Sequence, residues 1–283
     1  MSPLFEPGAV LPALLTPFDA DGRVDTGALR EHVEFVIEGG VEGIMPCGST
    51  GETALLEPDE VMTVVEAVIA AAAGRVKVVA HVGRPSTLAT ERLIERAIGA
   101  GADAVSAVLP YYYKFGDEQV IAHFRALLAA AGDTPLLAYT FPARTGNDLS
   151  PRALATLAEA GLAGLKDSTG DLDLHREYLS AAPGIEIFVG SPSLLLEALR
   201  CGSRGGVAAL ANLRPDLIVS LARAWRDGRD QEAEALQAEV VALEREVTAG
   251  PPLVELKRAV SEAMAARGVD YPSAPRSPLL PSS

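Results

Sequence analysis

The sequence contains only two cysteines, Cys47 and Cys201, in 283 residues. Two cysteines cannot build a disulfide scaffold, and such low usage is typical of the reducing cytoplasm, where we expect this protein to act. Neither cysteine belongs to a CxxC pair or to a Cys/His cluster, so we expect no metal site. Of the four scattered histidines only His81 ends a strand-like run, where it could line a site; the others fall in helix-like segments.

Long apolar runs and an excess of positive charge are also missing. No apolar run reaches the ~18 residues that a membrane span requires. The N-terminal MSPLFEPGAVLPALL lacks the basic start and long apolar segment of a signal peptide. The net charge is −14, which repels phosphate backbones and anionic lipid. We therefore expect no nucleic-acid or membrane partner, whereas a small anionic substrate fits if one pocket is locally positive.

The chain has instead a regular alternation of short apolar strands and helix-like segments. Runs rich in Val, Ile, Leu and Ala are typical of parallel strands that are covered on both faces. The helical segments have recognisable ends, such as Ser150 as N-cap, Pro151 after it and Gly161 as stop. The predicted strands cover 9–15, 43–48, 76–82, 104–110, 135–141, 162–168, 185–191 and 205–210.

Eight βα units predict an α/β fold of the (β/α)8 TIM-barrel type. A doubly wound sheet is the alternative, but no GxGxxG follows the first strand. Residues 1–212 hold the strands and helices up to strand eight. After them the chain is helical only, so residues 213–283 are predicted to form the last barrel helix, a C-terminal helical extension and a Pro/Ser-rich tail in the same structural unit.

Lys166 stands where the sixth predicted strand ends, and active sites of such barrels lie at the carboxyl ends of the strands. The other three lysines are less well placed: Lys77 opens a strand, Lys114 lies in a loop and Lys257 lies on an amphipathic helix. Burial disfavours the charged form of an amine, and a neutral amine attacks carbonyl carbons. Lys166 is therefore a candidate for Schiff-base chemistry; the alternative is a lysine that reaches solvent or pairs with Asp167.

Three further features lie on the same rim. The turn GSTGE, residues 48–52, has two glycines that let successive N–H groups face one anion, with the hydroxyls of Ser49 and Thr50 beside them. Tyr139 ends the fifth strand, where a phenol can move protons during imine formation. Arg144 follows in a loop and could bind a second carboxylate. Each feature alone is weak, but together they describe a site for a 2-oxo acid bound as an imine.

This combination resembles the dihydrodipicolinate synthase / N-acetylneuraminate lyase family of class I aldolases. The resemblance runs from LPALLTPFDADGRVD through GSTGE, PYYYKF, YTFPARTG and GLKDSTGD to the closing PRSPLLP, and so covers essentially the whole chain. It implies a TIM barrel, a homotetramer, no metal or organic cofactor, and pyruvate or a pyruvate-derived 2-oxo acid as substrate.

The resemblance also implies roles for individual residues. Lys166 would form the imine, Tyr139 would act as general acid and base, and Ser49 would relay its proton. Tyr112 would complete the relay from a neighbouring subunit. The candidate substrate-binding residues are Thr50, Gly48, Gly51, Arg144 and Val207.

Three departures from the family pattern leave the named reaction open. The usual Y-N-x-P reads YTFP at residues 139–142, and Ser191–Ser193 replaces an acidic pair that many synthases carry after strand seven. The positions that bind feedback lysine in some synthases are Pro58, Val61 and Pro85, so we expect no lysine inhibition.

The best single interpretation is a dihydrodipicolinate synthase-like enzyme, that is, a 4-hydroxy-tetrahydrodipicolinate synthase. Arg144 favours it, whereas the change after strand seven favours an aldolase of 2-keto-3-deoxy sugar acids or hydroxy-oxo acids. A dehydratase that uses the same imine and a catalytically silent barrel that binds 2-oxo acids are further alternatives.

Overall fold

The protein is a (β/α)8 barrel, as the sequence predicted. A computed structural model describes residues 3–279, and its eight parallel strands follow one another around a ring in sequence order. The ring closes through a parallel bridge in which the Met45 N–H donates to Pro12 O (3.0 Å) and the Leu14 N–H donates to Met45 O (2.9 Å). The strands are β1 (Ala9–Pro12), β2 (Gly43–Ile44), β3 (Lys77–His81), β4 (Ala104–Val108), β5 (Leu136–Thr140), β6 (Gly164–Asp167), β7 (Glu186–Val189) and β8 (Gly205–Ala208).

The helix over Pro151–Glu159 begins and ends at the predicted signals. The Ser150 hydroxyl accepts from the Ala153 N–H at 3.0 Å, and Gly161 has a φ of +104°, which stops the helix. The helices are α1 (Thr26–Glu38), α2 (Pro58–Ala72), α3 (Thr87–Gly99), α4 (Asp117–Ala131), α5 (Pro142–Thr145), α6 (Pro151–Glu159), α7 (Leu172–Ala181), α8 (Leu195–Cys201), α9 (Pro215–Arg226), α10 (Asp230–Val247) and α11 (Pro252–Ala265).

The strands are shorter than the sequence predicted. The run 43–48, for example, pairs as a strand only over Gly43–Ile44. Cys47 has a φ of 59°, so the chain has already left the extended conformation there. The residues that end the predicted runs lie on the rim of the barrel. Because they do not pair within the sheet, they are available to form a site.

Strand alternation divides the apolar side chains between two cores. Inward-facing residues such as Met45, Leu137 and Phe188 fill the lower barrel, and Phe5 closes its end with its ring edge-on to Phe188 at 5.7 Å between centroids. Outward-facing residues such as Leu165 pack against the surrounding helices. Because successive residues alternate, the positions two residues beyond this inner layer also point into the barrel, at its catalytic end.

The predicted C-terminal extension is present as α10 and α11. α10 packs along α9, the last barrel helix, and α11 carries Leu253 and Leu256 back to a cavity at the rim. The segment after α11 follows that rim as far as residue 279; residues 280–283 of the predicted tail lie outside the described residues. Among the described helices, none combines the length and the apolar character that crossing a bilayer would need.

Candidate active site

Lys166 and Tyr139 lie side by side in the upper layer of the barrel. They are paired across the β5–β6 ladder, and both point inward. Lys166 is 3% exposed and Tyr139 is 2% exposed. The Lys166 Nζ lies 4.3 Å from the centroid of the Tyr139 ring. The structure thus brings together the candidate imine-forming lysine and the candidate general acid and base of the sequence analysis.

Within the part of the chain that the structure describes, no carboxylate forms an ion pair with Lys166. Strand alternation turns Asp167 outward, where it bonds the His175 Nδ1 at 2.8 Å and accepts from the Thr169 N–H and hydroxyl. Across residues 3–279, the Lys166 Nζ has neither a hydrogen-bond acceptor nor an ion-pair partner. The alternative in which Lys166 pairs with Asp167 is therefore wrong, and the amine is left for chemistry.

A pair of hydroxyls adjoins the amine. The Tyr139 hydroxyl lies 3.3 Å from the Ser49 hydroxyl, a contact that joins β5 to the turn after β2. Tyr112 does not extend this pair within residues 3–279. It is 86% exposed, has a φ of 84° and packs its ring against Tyr113 at 5.0 Å. The contacts within the described residues do not account for an exposed aromatic ring on a residue with a positive φ.

The GSTGE turn is built for a close backbone approach. A Cβ on Gly51 would lie 2.8 Å from Leu14 O, so only glycine fits there. Glu52 has a φ of 62°, in the left-handed region. In the described chain, the N–H groups of Ser49 and Thr50 donate to no protein acceptor. These free donors suit a carboxylate.

A cavity of about 420 Å³ opens between this turn, the end of β5 and the C-terminal extension. Arg144 on α5 lines it, is exposed, and lies 5.9 Å above the Phe141 ring. No carboxylate within residues 3–279 pairs with Arg144. The other lining residues include Ser49, Thr50, Phe141, Leu253 and Leu256.

Val207 and the glycines of the turn do not line this cavity. Val207 is 1% exposed and packs in the inner core with Phe188, so its side chain supports the site from below. Gly48 and Gly51 shape the turn through their backbone. A second depression, of about 450 Å³, lies at the opposite barrel end, and Glu159 is its single ionisable lining residue in the described chain.

His81 is more central than the sequence suggested. Its ring is fully buried and edge-on to Tyr139 at 5.7 Å. Its Nδ1 lies 3.5 Å from the Ser106 hydroxyl, and its Nε2 has no partner in residues 3–279. Burial lowers the pKa of His81 to about 3, and the charges of Lys166 and Arg84 act in the same direction. The imidazole is therefore neutral at physiological pH.

Lys257 is a buried residue next to the site that the sequence interpretation missed. It is fully buried, pairs with Glu52 of the GSTGE turn and donates to Ala274 O at 3.1 Å. Burial lowers the pKa of Lys257, while Glu52 opposes that shift. An amphipathic helix position gave no sign of this, because the partner carboxylate lies 205 residues earlier in the chain.

A TIM barrel that presents such a lysine at the carboxyl ends of its strands belongs with the class I aldolases and lyases. The model of the dihydrodipicolinate synthetase family matches residues 6–283, and the chain belongs to that family. It is 39% identical to a DapA-like lyase of Halobacterium salinarum over 252 residues, which is 89% of this chain and 83% of the relative.

Two further proteins are similar to this chain over most of its length. A 4-hydroxy-tetrahydrodipicolinate synthase of Methanopyrus kandleri is 35% identical over 260 residues, which is 90% of this chain and 86% of that enzyme. The crystal structure of YagE from Escherichia coli K12, a dihydrodipicolinic acid synthase family protein in complex with pyruvate, superposes with a TM-score of 0.91 at 26% identity. That superposition covers 98% of this chain and 93% of YagE.

Proposed function

We propose that this protein is a carbon–carbon lyase or synthase in which Lys166 forms a Schiff base with pyruvate or a pyruvate-derived 2-oxo acid. The observation that carries the proposal is the buried Lys166 amine without a charge partner, 4.3 Å from the Tyr139 ring, whose hydroxyl contacts Ser49. A binding protein would need neither an unpaired nucleophile nor a hydroxyl pair beside it.

The reaction follows from these groups. The amine of Lys166 attacks C2 of the 2-oxo acid, and water leaves as the imine forms. Tyr139 moves the proton, with Ser49 as the next hydroxyl in the relay. The iminium withdraws electrons, so C3 loses a proton and an enamine forms. The enamine attacks an aldehyde in synthesis, or arises by carbon–carbon cleavage in the reverse direction, and hydrolysis frees the lysine.

The substrate carboxylate would bind to the free N–H groups of Ser49 and Thr50, as in an anion nest. Arg144, exposed at the mouth of the same cavity, would bind a carboxylate on the aldehyde. Such a contact supports 4-hydroxy-tetrahydrodipicolinate synthase activity as the named reaction. The small residues Ser191–Ser193 after β7 favour the alternative, an aldolase of sugar-derived or hydroxy-oxo acids.

Tyr112 would complete the relay in a neighbouring subunit of a homotetramer. Its 86% exposure and positive φ support that placement. Contact with a second subunit would remove the ring from water and offset the cost of the positive φ. If the proposal holds, Tyr112→Phe lowers kcat and the specific activity falls on dilution below the assembly concentration. A monomer with undiminished activity would contradict it.

The first experiment traps the imine. The intact mass of the wild-type protein is measured after treatment with pyruvate and borohydride, beside Lys166→Ala and the control Lys77→Ala. We expect one reduced pyruvate on the wild type and on the control, and none on Lys166→Ala. A wild-type protein that acquires no adduct from pyruvate or from larger 2-oxo acids would contradict the proposed function.

A further inference from the structure

The C-terminal extension is bonded to the turn that presents the free N–H groups of Ser49 and Thr50. We propose that Lys257 is a positioning residue for the 2-oxo acid: through the buried Glu52 carboxylate, it keeps those N–H groups oriented to bind the substrate carboxylate. This inference rests on the proposed Schiff-base function and adds a role for the C-terminal extension in recognising the first substrate.

The GSTGE turn has a backbone conformation that is costly for residues with a Cβ. Cys47 and Glu52 bracket it, and they are two of the four non-glycine residues with a positive φ in residues 3–279. Such residues persist in this conformation only where other contacts fix them. The Glu52 N–H donates to Ser49 O at 3.2 Å and so closes the turn. The conformation of Glu52 and the orientation of the peptide groups before it are therefore linked.

The Glu52 side chain is fixed by two bonds from the C-terminal extension. Its carboxylate is fully buried. One oxygen is bound by the Lys257 Nζ, and the other accepts from the Arg276 N–H at 2.7 Å. Bonds between charged groups are stronger than bonds between neutral groups. They offset the cost of the positive φ, and they compensate a buried charge that would otherwise be unpaired.

The two residues that bind Glu52 are themselves held in place. The Lys257 Nζ also donates to Ala274 O at 3.1 Å and lies 4.5 Å from the centroid of the Phe18 ring. The Arg276 guanidinium lies 4.4 Å from the same centroid and bonds the Glu60 carboxylate at 2.7 Å. A binding group is kept in its productive geometry by supporting residues that are fixed in this way.

The barrel anchors the residues on either side of Glu52. The Thr16 hydroxyl donates to Gly51 O at 2.8 Å, and the Arg84 guanidinium donates to Thr53 O. These bonds remain when the ion pair is removed. We therefore expect the turn to persist without the ion pair, with its free N–H groups less well oriented for a carboxylate.

The test compares pyruvate with pyruvamide, an uncharged analogue in which an amide replaces the carboxylate. Both carry the carbonyl that Lys166 would attack, but only pyruvate carries the anion that the turn would bind. The concentration that gives half-maximal trapping by borohydride is measured for each ligand by intact mass. In the wild type we expect this concentration to be at least about tenfold lower for pyruvate, because the N–H groups favour the charged ligand.

Lys257→Met should raise the half-maximal concentration about tenfold for pyruvate and by less than about twofold for pyruvamide, because a misplaced binding group affects the ligand that it binds. The maximal extent of trapping should not change, since Lys166 is intact. Lys257→Met/Glu52→Gln should give the same values as the single variant, because it removes the unpaired charge without restoring the bond. The control Val240→Ala, in the core on α10, should keep the wild-type values for both ligands.

Equal half-maximal concentrations of pyruvate and pyruvamide in the wild type would overturn the inference. So would a Lys257→Met variant that keeps the wild-type value for pyruvate or that weakens both ligands equally. A double variant that recovers the wild-type value for pyruvate would also overturn it, because the effect would then come from an unpaired charge or from lost stability. A wild type that acquires no adduct from either ligand would instead identify failure of the proposed function, on which the inference rests.

Discussion

Two lysines of this chain are buried, and they differ in one respect. Lys166 is 3% exposed and Lys257 is 0% exposed. Each amine lies over an aromatic ring, at 4.3 Å from the Tyr139 centroid and 4.5 Å from the Phe18 centroid. Lys257 has a carboxylate and a carbonyl as partners, whereas Lys166 has neither within residues 3–279. The paired amine is structural, and the unpaired amine is available for chemistry.

The backbone explains the difference. The carboxylate next to Lys166 in the sequence, Asp167, is turned to the other side of the strand and is held there by His175. The carboxylate that serves Lys257 is brought to it by the fold, from the turn after β2. A buried unpaired amine destabilises the folded state, so its presence at Lys166 supports the nucleophilic role proposed above.

The largest expected effect comes from Lys166→Met. Activity should fall by about 10⁴-fold or more, because the nucleophile is removed. The free energy of unfolding should stay the same or rise, because an unpaired amine is replaced by an apolar side chain of similar length. Steady-state kinetics and urea unfolding measure the two quantities. If the variant keeps activity within tenfold of the wild type, or loses several kcal/mol of stability, Lys166 does not differ from Lys257 in the way proposed.

Lys257→Met should show the opposite pattern. Removing one partner of a buried ion pair leaves Glu52 unpaired, and we expect the free energy of unfolding to fall by about 3–5 kcal/mol. Lys166 should still trap pyruvate. The double variant Lys257→Met/Glu52→Gln should recover part of the loss, since no uncompensated charge remains. If the single and double variants are equally unstable, the pair is not the source of the stability.

The comparison of the two lysines also shows how much of the fold and of the site could be predicted from the sequence. The eight-fold alternation of apolar strands and capped helices predicted the barrel, because those signals are local. Lys166, Tyr139 and Ser49 could be predicted as a group, because the carboxyl ends of parallel strands meet on one face. Lys166 and Tyr139 end predicted strands and Ser49 lies in the turn after strand two, so this grouping required no knowledge of tertiary contacts.

Lys257 and the cavity could not be predicted in this way. The cavity brings Leu253 of α11 and Leu279 to Val108 of β4 and to Phe141, which follows β5. Lys257 meets a carboxylate that lies 205 residues earlier in the sequence. Helical periodicity predicts which face of α11 is buried but not what it is buried against. His81 lies between the two cases. Its position at the end of a strand-like run could be read from the sequence, but its contact with Tyr139 required the barrel geometry.

The smallest expected effect concerns the pH dependence of stability. One buried histidine lies near each of the two lysines, so the two regions can be compared. His81 lies beside Tyr139 in the barrel, and His32 contacts Tyr271 of the C-terminal segment, with 3.2 Å between the ring Nδ1 and the hydroxyl. Burial lowers the pKa of His32 to about 4 and that of His81 to about 3, from 6.5. Above pH 6.5 both rings are neutral whether the chain is folded or unfolded, so the full stability is present.

As the pH falls below 6.5, the unfolded chain takes up protons that the folded chain excludes, and stability is lost. Between pH 6.5 and about 5, each histidine should account for about 1.5 kcal/mol of that loss. His32→Gln and His81→Gln should each make the free energy of unfolding less pH-dependent by that amount, as measured by urea unfolding across this range. His81→Gln should also lower kcat, since the ring packs against Tyr139, whereas His32→Gln should leave kcat unchanged. Equal kinetic effects of the two variants would mean that the packing around Lys166 is no more specialised for catalysis than the packing around Lys257.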